Sequence, residues 1–90
     1  MAAERLSRLQ RRILRYVYEA QARSRWSVAP SHLEIMRAVA ANKGNVSMSL
    51  RNLEAKGLLV VHRTPGGYAN TVALTREGKN RTAFFVKSFD

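Results

Sequence analysis

Ninety residues with 16 Lys and Arg against six Asp and Glu, a formal charge of +10 and no cysteine leave room for one small domain. They also exclude disulfides, thiol redox sensing and thiolate metal sites together. The basic excess attracts polyanions over long range, which puts nucleic acid ahead of an acidic membrane surface or an acidic protein.

Hydrophobic content of 46% is enough to fold, but a domain this small buries its apolar surface only marginally, so a partner subunit would help. No apolar run approaches the roughly 20 residues of a membrane span. The opening "MAAERLSRLQRR" lacks the apolar centre of a secretion signal, and a cytoplasmic location is expected. An Arg-rich start also suits a transit peptide, yet Leu6, Leu9 and Ile13 already keep helical spacing.

In chain order the pattern predicts a single domain over 1–90, with a first helix within 1–26, a helix-turn-helix over 31–57, a hairpin over 58–74 and a last helix over 75–90. From Ala3 to Ala22 an apolar stripe of Leu6, Leu9, Ile13, Val17 and Ala20 recurs every three or four positions. The other face carries Arg5, Arg8, Arg11, Arg12 and Arg15, a solvated face first and a phosphate surface second. Ser27 to Ala29 suit a brief strand before Pro30, which bars helical geometry at the residue ahead of it. Ser31 and Glu34 form a capping box, opening a second helix expected to turn Leu33, Met36, Val39 and Ala40 inward. Asn42, Lys43 and Gly44 are expected to end it. A third helix follows, capped by Asn45 and stopped at Gly57, with Val46, Leu50 and Leu53 as its buried face.

That third helix has an odd outer face. Asn45, Ser47, Met48, Ser49, Arg51 and Asn52 are short, polar or flexible, and only Arg51 is charged, whereas solvated helix faces favour long, salt-bridging residues. Leu58 to Arg63 and Tyr68 to Leu74 are rich in β-branched and aromatic residues, joined by "TPGG" with Pro65 and Gly66 at the central turn positions. Thr75 caps a final helix with Glu77 in its first turn, running on through Phe84 and Phe85 toward Phe89.

The order is helix, short strand, helix, helix, hairpin, helix. It defines an α+β, mainly helical fold: a winged helix-turn-helix with a three-helix core, a two-stranded wing and a C-terminal helix. "L-x-x-L-E-x-K-G-L" at Leu50 to Leu58 and "L-T-R-E-G" at Leu74 to Gly78 resemble the recognition helix and post-wing signature of MarR-type winged-helix regulators. The similarity runs over residues 28–80. It implies that the third helix lies in the major groove of duplex DNA while the second crosses the backbone. Asn45, Ser47, Met48, Ser49, Arg51 and Asn52 would then meet base edges, and Lys43 a phosphate. The family's wing commonly carries an acid-x-Arg element shortly before "LT". Here the matching region reads "GGYANTVALT", with Tyr68 near the arginine's place. Arg63 is the substitute reader, and Tyr68 or Asn70 a phosphate contact.

Such proteins pair two half-sites, so a homodimer is expected, with Leu6 on the first helix and Phe84, Phe85 and Phe89 at the end as interface candidates. The family's further dimerisation helices have no counterpart here. His32 and His62 lie far from metal-ligand spacing, no carboxylate cluster stands near them, and Gly66 and Gly67 sit in a hairpin turn rather than a phosphate loop. No enzyme activity, metal or cofactor is expected. The sequence therefore points to a small dimeric transcriptional regulator, a repressor binding double-stranded DNA. The second reading is an RNA-binding or ribosome-associated winged helix, or a protein-contact module of a nucleic-acid assembly.

Overall fold

Ser7 starts the fold with a pattern that hydrophobic spacing alone overlooks. In the computed structural model, which describes residues 6–23, 29–66 and 70–89 with side chains through Val86, its hydroxyl accepts from the Gln10 N–H at 3.1 Å. The Ser7 N–H donates to Gln10 Oε1 at 2.9 Å. This reciprocal capping box fixes the first helix, α1, at Arg8–Arg23, so Leu6 and Ser7 precede it, unlike the expected start at Ala3. The same bonds explain why Gln10 is buried beside Ile13, Leu14 and Val17. Leu14, absent from the expected stripe, lies wholly inside. The expected strand at Ser27 and Val28 lies outside the described residues, and Ala29 is in no strand.

The second helix, α2, spans His32–Val39 and opens on the expected Ser31–Glu34 capping box. Its buried residues are His32, Ile35 and Val39, not the anticipated set: Leu33 and Met36 are only half-buried and Ala40 is exposed. Ala40 is the cap itself, in the left-handed conformation with φ +54°, a geometry that costs an L-residue roughly 1–2 kcal/mol. The third helix, α3, spans Lys43–Ala55. Asn42 caps it, its Oδ1 accepting from the Asn45 N–H at 2.8 Å. Asn45, expected as the cap, is therefore inside the helix, as are Lys43 and Gly44. Lys56 and Gly57, at φ +76°, close it.

The wing strands β1, Leu59–His62, and β2, Thr71–Leu74, pair antiparallel in the register Leu59 with Leu74 and His62 with Thr71. Gly66 at φ +87° fits the second central position of a type II turn. A third strand is reduced to one bridge between Ser31 and Thr71, where the Val72 N–H donates to Pro30 O and the His32 N–H to Asn70 O. Alternate strand residues Leu59, Val61, Val72 and Leu74 meet Ile35, Val46, Leu50 and Leu53 in one core centred on α1.

The last helix, α4, spans Arg76–Phe89. Thr75 ties it down twice: its N–H donates to Leu58 O at 3.1 Å and its hydroxyl to Gly57 O at 2.6 Å, while Oγ1 accepts from the Gly78 N–H. Gly78 follows from that closeness, because a Cβ there would stand 1.8 Å from Leu58 O. Gly→Ala in an exposed helix ordinarily stabilises by up to about 1 kcal/mol. At Gly78 we expect the opposite sign, a loss of about 3 kcal/mol or more from overpacking against backbone. Gly44→Ala, whose Cβ meets only Asn42 Oδ1 at 3.5 Å, should be neutral or mildly stabilising. Chemical denaturation of the two variants checks both signs.

Candidate nucleic-acid interface

Helix α3 presents its outer face because Val46, Leu50 and Leu53 are pinned in the core. Asn45, Met48, Arg51 and Asn52 are exposed, Met48 at 67%, while Ser47 and Lys43 are half-buried. Ser49 departs from the expectation. It is only 8% exposed, since it follows Val46 by three residues and precedes Leu53 by four, which puts it on the inner face. It is removed from the set of groove-facing residues.

On the wing, Arg63 does not project freely. Its guanidinium grips the Glu54 carboxylate of α3 with two parallel bonds, Nη2 to Oε1 at 2.7 Å and Nη1 to Oε2 at 3.2 Å. The hydrogen bond from Arg63 holds the Glu54 carboxyl below its usual range. Asn70 braces the wing: its Oδ1 accepts from the Thr64 N–H at 2.6 Å and from the Thr64 hydroxyl at 3.2 Å. That fixes the carbonyl end of its side chain in the wing, while the amide N–H groups are the donors that the expected phosphate contact would use. Tyr68 lies outside the described residues.

Between α3 and the wing is a cleft of about 90 Å³ lined by His32, Ser47, Leu50, Arg51, Val61, Arg63 and Asn70. His32 is one of these lining residues. Only 3% exposed, it leaves Nε2 buried without a hydrogen-bond partner among the described residues. Burial first, then the charge of Lys43, pushes its pKa below the ordinary histidine value, against a hydrogen bond to the Lys43 backbone. Neither His32 nor Glu54 stood out in the sequence. The one available signal for His32 was its place three residues before Ile35 and seven before Val39, on the inner stripe.

Elsewhere, Arg8, Arg11, Arg12 and Arg15 line a shallow groove floored by Phe85 on the outer side of α1. Arg15 also approaches Glu19 at 3.5 Å. Of the expected interface residues, Leu6 and Phe85 are half-buried against the core while Phe84 is 77% exposed. The side chain of Phe89 lies outside the described residues. Among the described residues no helix is long and apolar enough to cross a membrane, and no group of three or more His, Asp or Glu could hold a metal.

Solved structures share this architecture. MepR, a transcription regulator of the Staphylococcus aureus multidrug efflux pump MepA, superposes with a TM-score of 0.76 at 26% identity, over 94% of this chain and 58% of its own. A complex of S. aureus MepR with DNA gives 0.76 at 26% identity, over 94% and 65%. The E41A mutant of Lactococcus lactis ZitR gives 0.74 at 15% identity, over 97% and 55%. No family model matches the chain, and no curated protein matches it significantly. The chain has the winged helix-turn-helix fold and resembles MarR-type regulators through MepR, although it spans less than two thirds of those chains.

Because His32 is held neutral in the fold and protonates at its ordinary value when unfolded, the unfolded chain binds more protons below that value. Stability should therefore be fully present above about pH 6.5 and decline as pH falls toward the lowered folded value. Urea midpoints between pH 8 and pH 5 should show the decline in the wild type and a smaller one in His32→Asn.

Proposed function

We propose that the chain binds duplex DNA sequence-specifically through α3 and regulates transcription, as a repressor that occupies promoter DNA as a dimer. The observation that carries this reading is the outer face of α3. Asn45, Met48, Arg51 and Asn52 stand exposed on the second helix of a helix-turn-helix, in a fold whose MepR counterpart was solved with DNA. Short side chains let such a helix sit deep in the major groove. Asn pairs with adenine, Arg with guanine, and an apolar group such as Met48 touches a thymine methyl. Lys43, at the helix start, is placed for a phosphate, where the positive end of the helix dipole adds to its charge.

One such helix reads few base pairs, and a second copy doubles the contacts at two half-sites roughly 34–36 Å apart. In the dimer reading the contact runs through α4, where Phe84 is 77% exposed. The outer side of α1 suits a two-fold contact less well, because symmetry would bring Arg8, Arg11, Arg12 and Arg15 against their own copies. Those arginines instead add to the field that draws the chain toward a polyanion.

Three substitutions separate base reading from phosphate binding and from packing. Arg51→Ala should cost about 1–3 kcal/mol on the preferred duplex and far less on a scrambled one. Lys43→Ala should weaken both alike and flatten the salt slope by about one. Ser49→Ala should leave sequence preference unchanged, since Ser49 faces the core. Fluorescence anisotropy over a salt series reads all three. Equal losses on both duplexes for Arg51→Ala would demote that residue to a backbone contact.

A further inference from the structure

Helix α1 carries its positive charge where helix electrostatics disfavour it. Arg8, Arg11, Arg12 and Arg15 stand exposed at intervals of three and four residues, so like charges are neighbours along one stripe and each pair works against the helix. The stripe begins at the N-terminal end, the positive pole of the helix dipole, and α1 has no acidic residue in its first turn. Among the described residues Arg15 meets Glu19 at 3.5 Å, while no ion pair joins Arg8, Arg11 or Arg12 to a carboxylate.

The four arginines line one groove together with Phe85 of α4, about 370 Å³ in volume, a size within the roughly 300–1,000 Å³ of ligand clefts. Phe85 is half-buried against the core, so the groove combines a row of cations with an aromatic side chain. We infer that it docks an acidic amphipathic helix of another protein, with carboxylates for the arginines and one apolar side chain for Phe85.

Spacing selects a helix over a small anion. Arg8 and Arg15 are seven residues apart, about 10.5 Å along the axis at 1.5 Å per residue. One carboxylate cannot span that distance, whereas acids at three- and four-residue intervals on a partner helix repeat with the same period. The aromatic selects against duplex nucleic acid. A phosphate backbone suits the arginines but offers Phe85 no apolar group, and a duplex keeps its base faces stacked on one another. A second copy of the chain would bring the same cations against each other. Attraction of polyanions from a distance and selection among them on contact are compatible duties for the same arginines. No groove residue belongs to α3, so the inference goes beyond DNA binding and does not rest on it.

The probe is a labelled synthetic helical peptide with Glu at three- and four-residue intervals and one Leu in the same stripe, titrated with the intact protein by fluorescence anisotropy at fixed ionic strength. Removing two groove charges, Arg11→Ala with Arg12→Ala, should weaken binding about fivefold or more. Removing two exposed charges outside the groove, Arg37→Ala with Arg76→Ala, should change it by less than about twofold, because exposed charges are largely screened beyond roughly 8–10 Å. Phe85→Ala should weaken the Leu probe and leave unchanged a probe with Ser in place of Leu, which ties the aromatic to the apolar position. Backbone amide signals followed by NMR should move in α1 and α4 and stay in place in α3. Equal weakening by both charge pairs, or equal binding of a peptide of the same composition with its acids scattered, would reduce the contact to net charge and overturn the groove. A groove pair that weakens an arbitrary duplex more than the peptide would hand those arginines to nucleic acid and overturn it as well. No DNA enters the peptide titration, so failure of either reading leaves the other standing.

Discussion

Everything on the side that carries α3 and the wing depends on one close approach of backbone to backbone, where the start of α4 meets the end of α3. Thr75 bonds both Gly57 and Leu58, and Gly78 lies so near Leu58 O that no side chain fits between. The junction joins three elements in the space of a few atoms: the last turn of α3, the base of β1 and the first turn of α4. It also gives the "L-T-x-x-G" pattern a physical content. The threonine supplies two bonds across the junction, and the glycine supplies the absence of a Cβ. With the junction formed, the wing leaves the end of α3 at a fixed angle, and Arg63 comes within reach of Glu54.

Charge is distributed over this frame unevenly. The outer face of α3 carries little of it, while arginines crowd the outer side of α1. For a DNA-binding role this division is useful: attraction to a polyanion is insensitive to sequence and need not come from residues that read bases. A face of Asn, Met and a single Arg can then discriminate by hydrogen bonds and methyl contacts. The tie between Arg63 and Glu54 keeps the wing's guanidinium close to α3, where the cleft holding His32 opens.

Much of the fold was legible because its signals are local. The Ser31–Glu34 box, the stop at Gly57, the turn at Pro65–Gly66 and the cap at Thr75 each reside in a few adjacent residues, and each is present. Errors came where residue type was weighed above position in the period. Ser49 looks like surface, yet its spacing from Val46 and Leu53 places it inside. Ala40 looks like core but takes the left-handed cap that Gly or Asn usually fills. Ser7 and Gln10 spelled a capping box that the longer Leu and Ile stripe obscured. The Arg63–Glu54 pair and the burial of His32 depend on how the wing docks on α2 and α3, a matter of tertiary geometry that no local pattern encodes.

The central claim is that α3 reads DNA sequence. It is tested most directly by selecting binders from random duplex DNA at moderate salt and comparing the winner with its scrambled counterpart and with matched RNA. The account predicts an inverted repeat with half-sites about 10 base pairs apart, bound roughly 1,000-fold or more over the scrambled duplex. Enrichment of no motif, or a preference for RNA, would contradict it.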